Sequence, residues 1–399
     1  MTDYLITDLG AIEPKALNDA GYVVGDSWPT KHAAEFAAGN AEDLGTLGGA
    51  TSDAWAINDA GVVVGSSAID GTTHAFVYAD GEMVDLNPEL RASYSVAHDV
   101  TNDGRIVGGA YHGVGNTPES SVHAFIYDQA SKTLDDLGTL PGRTYSMAWA
   151  VNESGDVVGG SGTPYPNENY RPFLYHQGSM SQLMDAIGTA FDINENGQIV
   201  LGTWAGNFLW ENGQTTELQF NGIPYAINNQ GEIVGWAIGA TPDVVGPSEF
   251  ACRIVDGQVE NLNEHVTGGG GGWDLAAAYD INDDGEIVGI GQHGGASHGF
   301  LLTPDTTPHI HLGSPKIAEM YAKILFGVTK DGGGLARVGG HPVPIDPWGP
   351  FWSRFSRSHP DAVTALAIAG AAAQLRDASA RTAIQREALG VIARTTEAP

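Results

Sequence analysis

The chain has 399 residues, with 48 acidic against 18 basic, a formal net charge of −30 and 42% apolar content. That length buries one large core, or a core with a small second domain, and such a charge repels nucleic acid and anionic lipid. No apolar run approaches the roughly 20 residues of a membrane helix, and the single cysteine, Cys252, excludes a disulfide framework or a cysteine-rich metal site.

The N-terminus, Met1 to Leu9, enters a strand pattern at once, with neither a basic nor an apolar leader segment, and so reads as cytoplasmic. One short phrase then returns seven times. It appears as Leu17-Asn18-Asp19-Ala20-Gly21, Ile57-Asn58-Asp59-Ala60-Gly61, Val100-Thr101-Asn102-Asp103-Gly104 and Val151-Asn152-Glu153-Ser154-Gly155. Ile193-Asn194-Glu195-Asn196-Gly197, Ile227-Asn228-Asn229-Gln230-Gly231 and Ile281-Asn282-Asp283-Asp284-Gly285 complete the set. The turn glycines are 40, 43, 51, 42, 34 and 54 residues apart. A period in this range, with short strands and regular turns, predicts an all-β chain folded as a seven-bladed β-propeller.

The second copy shows the unit most plainly. Asp53 to Ile57 is a strand, Asn58 to Gly61 a tight turn and Val62 to Gly65 the returning strand; His74 to Tyr78 and Glu82 to Leu86 follow. Asn and Asp tolerate left-handed turn geometry and Gly supplies positive φ, hence their place between apolar runs.

The third strand recurs as His74-Ala75-Phe76, His123-Ala124-Phe125 and His298-Gly299-Phe300, and more loosely as His32-Ala33-Ala34 and Arg171-Pro172-Phe173. The link to the next blade reads Asp43-Leu44-Gly45-Thr46-Leu47 and again Asp136-Leu137-Gly138-Thr139-Leu140. On these residues, roughly 5–302 resembles the HAF-repeat family, which implies a repeat architecture and, for many members, an extracellular bacterial setting. The resemblance carries no activity. The histidines of this motif read as structural, because a once-per-blade residue serves the blade.

The seventh copy stops after its third strand, before Pro304, and Leu5-Ile6-Thr7-Asp8-Leu9-Gly10 matches the fourth-strand ending of the other copies. The N-terminal strand is therefore expected to close the ring, giving a propeller over residues 1–305 and an extension over 306–399. From Pro308 the apolar period changes to about 3.6. Helices are expected from Ser314 to Gly327 and from about Pro360 to Ile392, with a structureless Asp331–Pro350 between them. Too few to fold alone, they are expected to dock on the ring or to join copies into a homo-oligomer. The ring carries 8 basic and 41 acidic residues, a net of −33, and the extension a net of +3.

Candidate functional residues fall in three groups. Long second-to-third and inter-blade connections are expected on one face, the top, and carry Tyr111, His112, Tyr165, Tyr170, Trp236, Trp273 and His293 as ligand-binding candidates. Two residues before each apolar anchor stand Lys15, Trp55, His98, Trp149, Phe191, Tyr225 and Tyr279. By period 2 these share the anchor's face and would fill the gap between blades. Lys15 and His98 depart from the aromatic pattern and, with His112, are the catalytic candidates. One residue on, Asp99, Asp192 and Asp280 replace Ala on alternate blades. They either ring the channel and bind a cation or water, or each hydrogen-bonds a neighbouring blade's backbone.

No Ser/His/Asp, HExxH or phosphate-loop signature is present, no metal set stands out and no cofactor is indicated. The Gly268–Gly272 run has no helix behind it and reads as loop. The leading expectation is a scaffold that binds a small molecule, glycan or peptide on its top loops. The alternatives are a lyase or hydrolase at the channel mouth, and a structural assembly protein.

Overall fold

Apolar runs of five to eight residues, joined by turns whose glycines sit at positive φ, fold back on themselves as antiparallel sheets. The computed structural model describes residues 2–305 apart from 38–39, 112–121, 164–168, 241–246 and 268–271, and beyond 305 only two strands. Six four-stranded sheets span residues 12–45, 52–85, 95–138, 145–182, 188–218 and 222–261. The seventh takes its first three strands from residues 273–304 and its fourth from Tyr4–Gly10. That strand runs antiparallel to Ala296–Pro304, from Tyr4 opposite Pro304 to Asp8 opposite Phe300. The chain is thus a seven-bladed propeller closed by its N-terminal strand. One feature is absent from the sequence reading: Val266–Thr267 adds a short parallel strand outside Tyr4–Leu5 and covers the closing edge.

Packing occurs between blades more than within them. Val24, Ala33 and Leu44 of blade 1 meet Ala54, Ile57, Val63 and Phe76 of blade 2 in one cluster, and the other seams repeat the arrangement. Each sheet therefore buries both faces, which explains the continuous apolar runs of the second strands. The glycine that follows them is steric. A Cβ at Gly65 would lie 2.0 Å from the Asp53 carbonyl oxygen of the adjacent strand. Buried serines tie the seams as well: Ser52, Ser95 and Ser146 each accept the N–H of a third-strand alanine in the preceding blade at 2.8–2.9 Å.

The repeated turn does more than reverse the chain. At six seams its asparagine donates Nδ2–H to the next blade's turn carbonyl: Asn18 to Asn58, Asn58 to Thr101, Asn152 to Asn194, Asn194 to Asn228, Asn228 to Asn282 and Asn282 to Asn18. Thr101 has no amide to donate, and at its seam the Arg105 guanidinium reaches the Glu153 carbonyl at 2.6 Å instead. A second circle is complete. The N–H groups of Asp19, Asp59, Asn102, Glu153, Glu195, Asn229 and Asp283 each donate to the side-chain oxygen of the corresponding residue in the next blade.

Two sequence expectations need correction. The second-to-third connections are not uniformly long: blades 2, 5 and 7 reverse through Asp70–Gly71, Trp204–Ala205 and Gly294–Gly295. There the strands simply run further than the apolar pattern indicated. Within Asp331–Pro350, expected to be structureless, Leu335–Val338 pairs antiparallel with His341–Pro344. The helices expected at 314–327 and 360–392 lie outside the described residues. By contact the chain divides into compact units at Met1–Asp305 and Thr306–Pro399. No helix among the described residues is long and apolar enough to cross a membrane.

Candidate functional site

Every innermost strand breaks register with its neighbour at the same repeat position, and the residue left without a partner there is Lys15, Trp55, His98, Trp149, Phe191, Tyr225 or Tyr279; the strand of blade 7 breaks a second time at Ala276. These are β-bulges, which insert one residue and re-aim its side chain. Neighbouring members of the set meet across the blade junctions, and Phe191 also packs against the cluster between blades 5 and 6, as the expectation that they fill the gaps between blades requires. Lys15 Nζ stands 4.0 Å from the centre of the Trp55 ring, and Trp55 is edge-on to His98 at 5.4 Å. His98 stacks on Trp149 at 4.2 Å, and Phe191, Tyr225 and Tyr279 follow edge-to-face at 6.0 and 5.5 Å.

The two departures from the aromatic pattern are both accommodated. Lys15 Nζ pairs with Asp26 Oδ1 at 2.7 Å, a charge contact off the usual hydrogen-bond direction, and reaches Asp53 at 3.5 Å. Burial raises the Asp26 carboxyl in spite of Lys15, so the pair needs its cation. His98 Nδ1 lies 2.8 Å from the Ala148 carbonyl oxygen, which can only accept. The Nδ1 therefore carries the proton and Nε2 keeps its lone pair. Burial pulls the imidazole down to about 4, so it is neutral at pH 7. Lys15 and His98 do not converge on a common point, because the Trp55 indole stands between them.

Breaking the Lys15–Asp26 pair leaves a mostly buried carboxylate alone. Lys15→Met is expected to cost about 3 kcal/mol in urea unfolding, and Lys15→Met/Asp26→Leu to recover most of it. A single-variant cost under about 1 kcal/mol would show that the pair is not holding the ring.

The three aspartates take the second of their two readings. Asp99 accepts the N–H of Val100 and, across the seam, of Val151, both at 2.8 Å. Asp192 accepts from Ile193 and Ile227, and Asp280 from Ile281 and Leu17. Each carboxylate staples its own blade to the next. Burial raises them to about 7, 6 and 7. For Asp99 and Asp280, repulsion from Asp192 adds to the effect. Below them the turn circles enclose a cavity of about 230 Å³ at the bottom mouth, lined by Asp19, Asp59, Glu153, Glu195 and Asp283 among others.

On the top face the candidates scatter. Tyr170 lies against Tyr145 at 5.4 Å, and Trp273 against His293 at 4.7 Å. Trp236 hydrogen-bonds Tyr225, and Tyr111 lies at the end of its strand in blade 3. His112 and Tyr165 lie outside the described residues. One depression does form, above blade 5. The Trp204–Ala205 reversal is low, and a cavity of about 340 Å³ opens there between blades 4 and 6. Its walls are Tyr170, Ile187, Phe191, Trp204 and Ile223, with Thr189, Thr203 and Asn207 among them. Trp204 is 84% exposed. Sequence reasoning missed it by searching long loops, although a tryptophan at the tip of a two-residue turn was visible in the sequence.

No protein-family model matches the sequence. No curated protein matches it. Among solved structures, virginiamycin B lyase from Staphylococcus aureus is similar at 12% identity over 75% of this chain and 99% of that one, with a TM-score of 0.49. A gluconolactonase from Xanthomonas campestris is similar at 12% identity over 75% and 89%, TM-score 0.40. The propeller domain of the trilobed protease from Pyrococcus furiosus is similar at 11% identity over 63% and 81%, TM-score 0.42.

Proposed function

We propose that the chain is a HAF-type propeller scaffold that binds a neutral, sugar-sized ligand in the depression above blade 5. The observation that carries this reading is the lining: three aromatic side chains, Tyr170, Phe191 and Trp204, with no Asp, Glu, Lys, Arg or His among the described residues of the cavity. A charged ligand would lose hydration there without gaining a partner. An apolar sugar face, or a neutral peptide segment of the same size, stacks on exposed aromatic rings. The Thr203 and Thr189 hydroxyls already donate to the carbonyls of Gly206 and Ala190. Thr203 Oγ1 also accepts the Ala205 N–H, so one lone pair on Thr203 and those of Thr189 remain to accept from ligand hydroxyls, and the site favours a hydrogen-bond donor. Asn207 is committed to the carbonyls of Phe220 and Gly222 and shapes the floor. A volume of this size lies within the ordinary range of small-molecule pockets.

The test is a panel of neutral oligosaccharides, with short neutral peptides as a second arm, screened against the protein and against Trp204→Ala. Binding is expected to weaken about tenfold or more in the variant, at an unchanged melting temperature. A panel without a binder, or binding undiminished by the substitution, removes the proposal. Turnover of a bound ligand that is lost in His98→Phe would move the reading to an enzyme working at the channel.

A further inference from the structure

The third-strand histidine of the repeat has a fixed partner. His32 meets Asp43, His74 meets Asp85 and His123 meets Asp136, at 2.9–3.0 Å from Nδ1 to a fourth-strand carboxylate oxygen. In each of these three blades one imidazole and one carboxylate pin the third strand to the fourth. In blade 7 the same pair forms between His298 and Asp8, at 2.8 Å, although 290 residues separate them. Blade 7 then adds an imidazole that the repeat does not require. The strand runs on to His293, turns through Gly294 and Gly295, both at positive φ, and places His293 opposite Ala296. Period 2 puts His293 on the face of His298. Its Nδ1 lies 3.1 Å from the other oxygen of Asp8. The Trp273 indole lies flat on the His293 ring, 4.7 Å between centroids and 2° between planes, and edge-on to His298 at 6.2 Å. That stacking fixes the direction in which His293 points.

We infer that Asp8, His293 and His298 form a binding site for a divalent transition-metal ion of the zinc class, which locks the N-terminal strand into the seventh blade. One ligand atom from each residue lies within 4.8 Å of the others. Two imidazoles and a carboxylate are the donor set that zinc, nickel and cobalt accept, whereas calcium and magnesium require more oxygen. Bonds of about 2.0–2.1 Å need ligand atoms roughly 3.3 Å apart, so the imidazole-to-carboxylate separations of 2.8 and 3.1 Å require only a small spreading. Without an ion, the Nδ1–H groups donate to Asp8. With one, each imidazole binds through Nδ1 and carries its proton on Nε2. Water completes the coordination on the exposed side of Asp8. The net charge of −33 over residues 1–305 raises the local concentration of any cation. The sequence hid the site, because Asp8 lies 285 and 290 residues before the two histidines along the chain.

The probe is zinc chloride added to the metal-stripped full-length protein, read by melting temperature and by calorimetric titration. Cobalt is used in parallel for its visible absorption. Wild type is expected to melt on the order of 5 °C higher at saturating zinc. Cobalt is expected to give a spectrum of imidazole and carboxylate ligation. His293→Ala leaves the His298–Asp8 pair in place and should fold. Its affinity is expected to fall by more than the roughly 10–100-fold that loss of a supporting residue costs, and its zinc-dependent shift to vanish. His74→Ala, which removes an ordinary pair, is expected to keep the shift. His309 and His311 offer other ligands, so the decisive reading is the difference between wild type and His293→Ala. No zinc shift in wild type, or an equal shift in His293→Ala, overturns the inference. Should His293→Ala fail to fold, His293→Gln and the wild-type cobalt spectrum decide it by the same criteria.

Discussion

Deleting residues 1–10 is expected to make the protein aggregate. The deletion removes the strand that pairs with Ala296–Pro304 and takes away Tyr4 and Leu9, which are 1% and 5% exposed. It also strips the staple between Asp8 and the third strand. What remains is a nine-residue strand with an open edge, a template for pairing with other chains. Losing two large buried side chains and a full row of ladder bonds costs several kcal/mol, comparable with the whole stability of an ordinary domain. Leu5, 43% exposed on the same strand, provides the control: Leu5→Ser is expected to stay within about 0.5 kcal/mol of wild type. A synthetic peptide of residues 2–11 is expected to restore solubility by refilling the slot. Light scattering and the melting temperature of the truncated protein decide the matter. A soluble truncation with an unchanged melting temperature would mean that the strand does not close the ring.

The second large effect is on pH. Asp99, Asp192 and Asp280 sit at about 7, 6 and 7 in the fold, against about 3.9 in an unfolded chain. Between roughly pH 4 and pH 7 the native state therefore holds protons that the unfolded state has released, and stability falls as pH rises. The contribution is fully present below the unfolded value and is lost as pH rises through the folded ones. Urea unfolding is expected to show wild type more stable at pH 5.5 than at pH 8, by roughly 2 kcal/mol for each carboxylate at most. Four blades already carry alanine at this position: Ala16, Ala56, Ala150 and Ala226. The triple variant to alanine is thus the repeat's own alternative. At pH 5.5 it should be less stable than wild type, because six backbone N–H bonds are gone. By pH 8 the gap should close. General repulsion in an acidic chain slopes the same way, so the diagnostic is the difference between the two proteins. Parallel profiles would show that these carboxylates do not titrate in that window.

The count of blades was legible because it rests on a local signal: one apolar anchor, one polar turn and one glycine, repeated. The closure was legible for the same reason, since a missing fourth strand at residue 304 and a spare one at residue 5 are both local. The bulge was not. It is a slip of register between two strands, invisible to a pattern read along one of them, and it leaves Trp55 without a partner in the ladder. Asn18 and its counterparts were read as turn formers, which they are, while the amide that crosses to the next blade is a relation between residues 34 to 54 apart, or 264 across the closure. Trp204 escaped because the pocket lies where the rim is lowest rather than where loops are longest. Asp8 and His293, 285 residues apart, have no common neighbourhood in the sequence at all.

The backbone N–H of Asp305 donates to the carbonyl of Asp3 at 2.7 Å. The propeller is therefore a linear polymer in the geometry of a cycle: all seven blade junctions are crossed by peptide bonds, and the one break, between the third and fourth strands of blade 7, is closed by hydrogen bonds. Once the two ends of the ring are joined by a short linker, any of those seven junctions becomes a legitimate place to begin the polypeptide. Gene rearrangements that shift the starting point by a whole number of blades would leave every seam intact. The order in which blades leave the ribosome is thus separable from the order in which they stand round the axis.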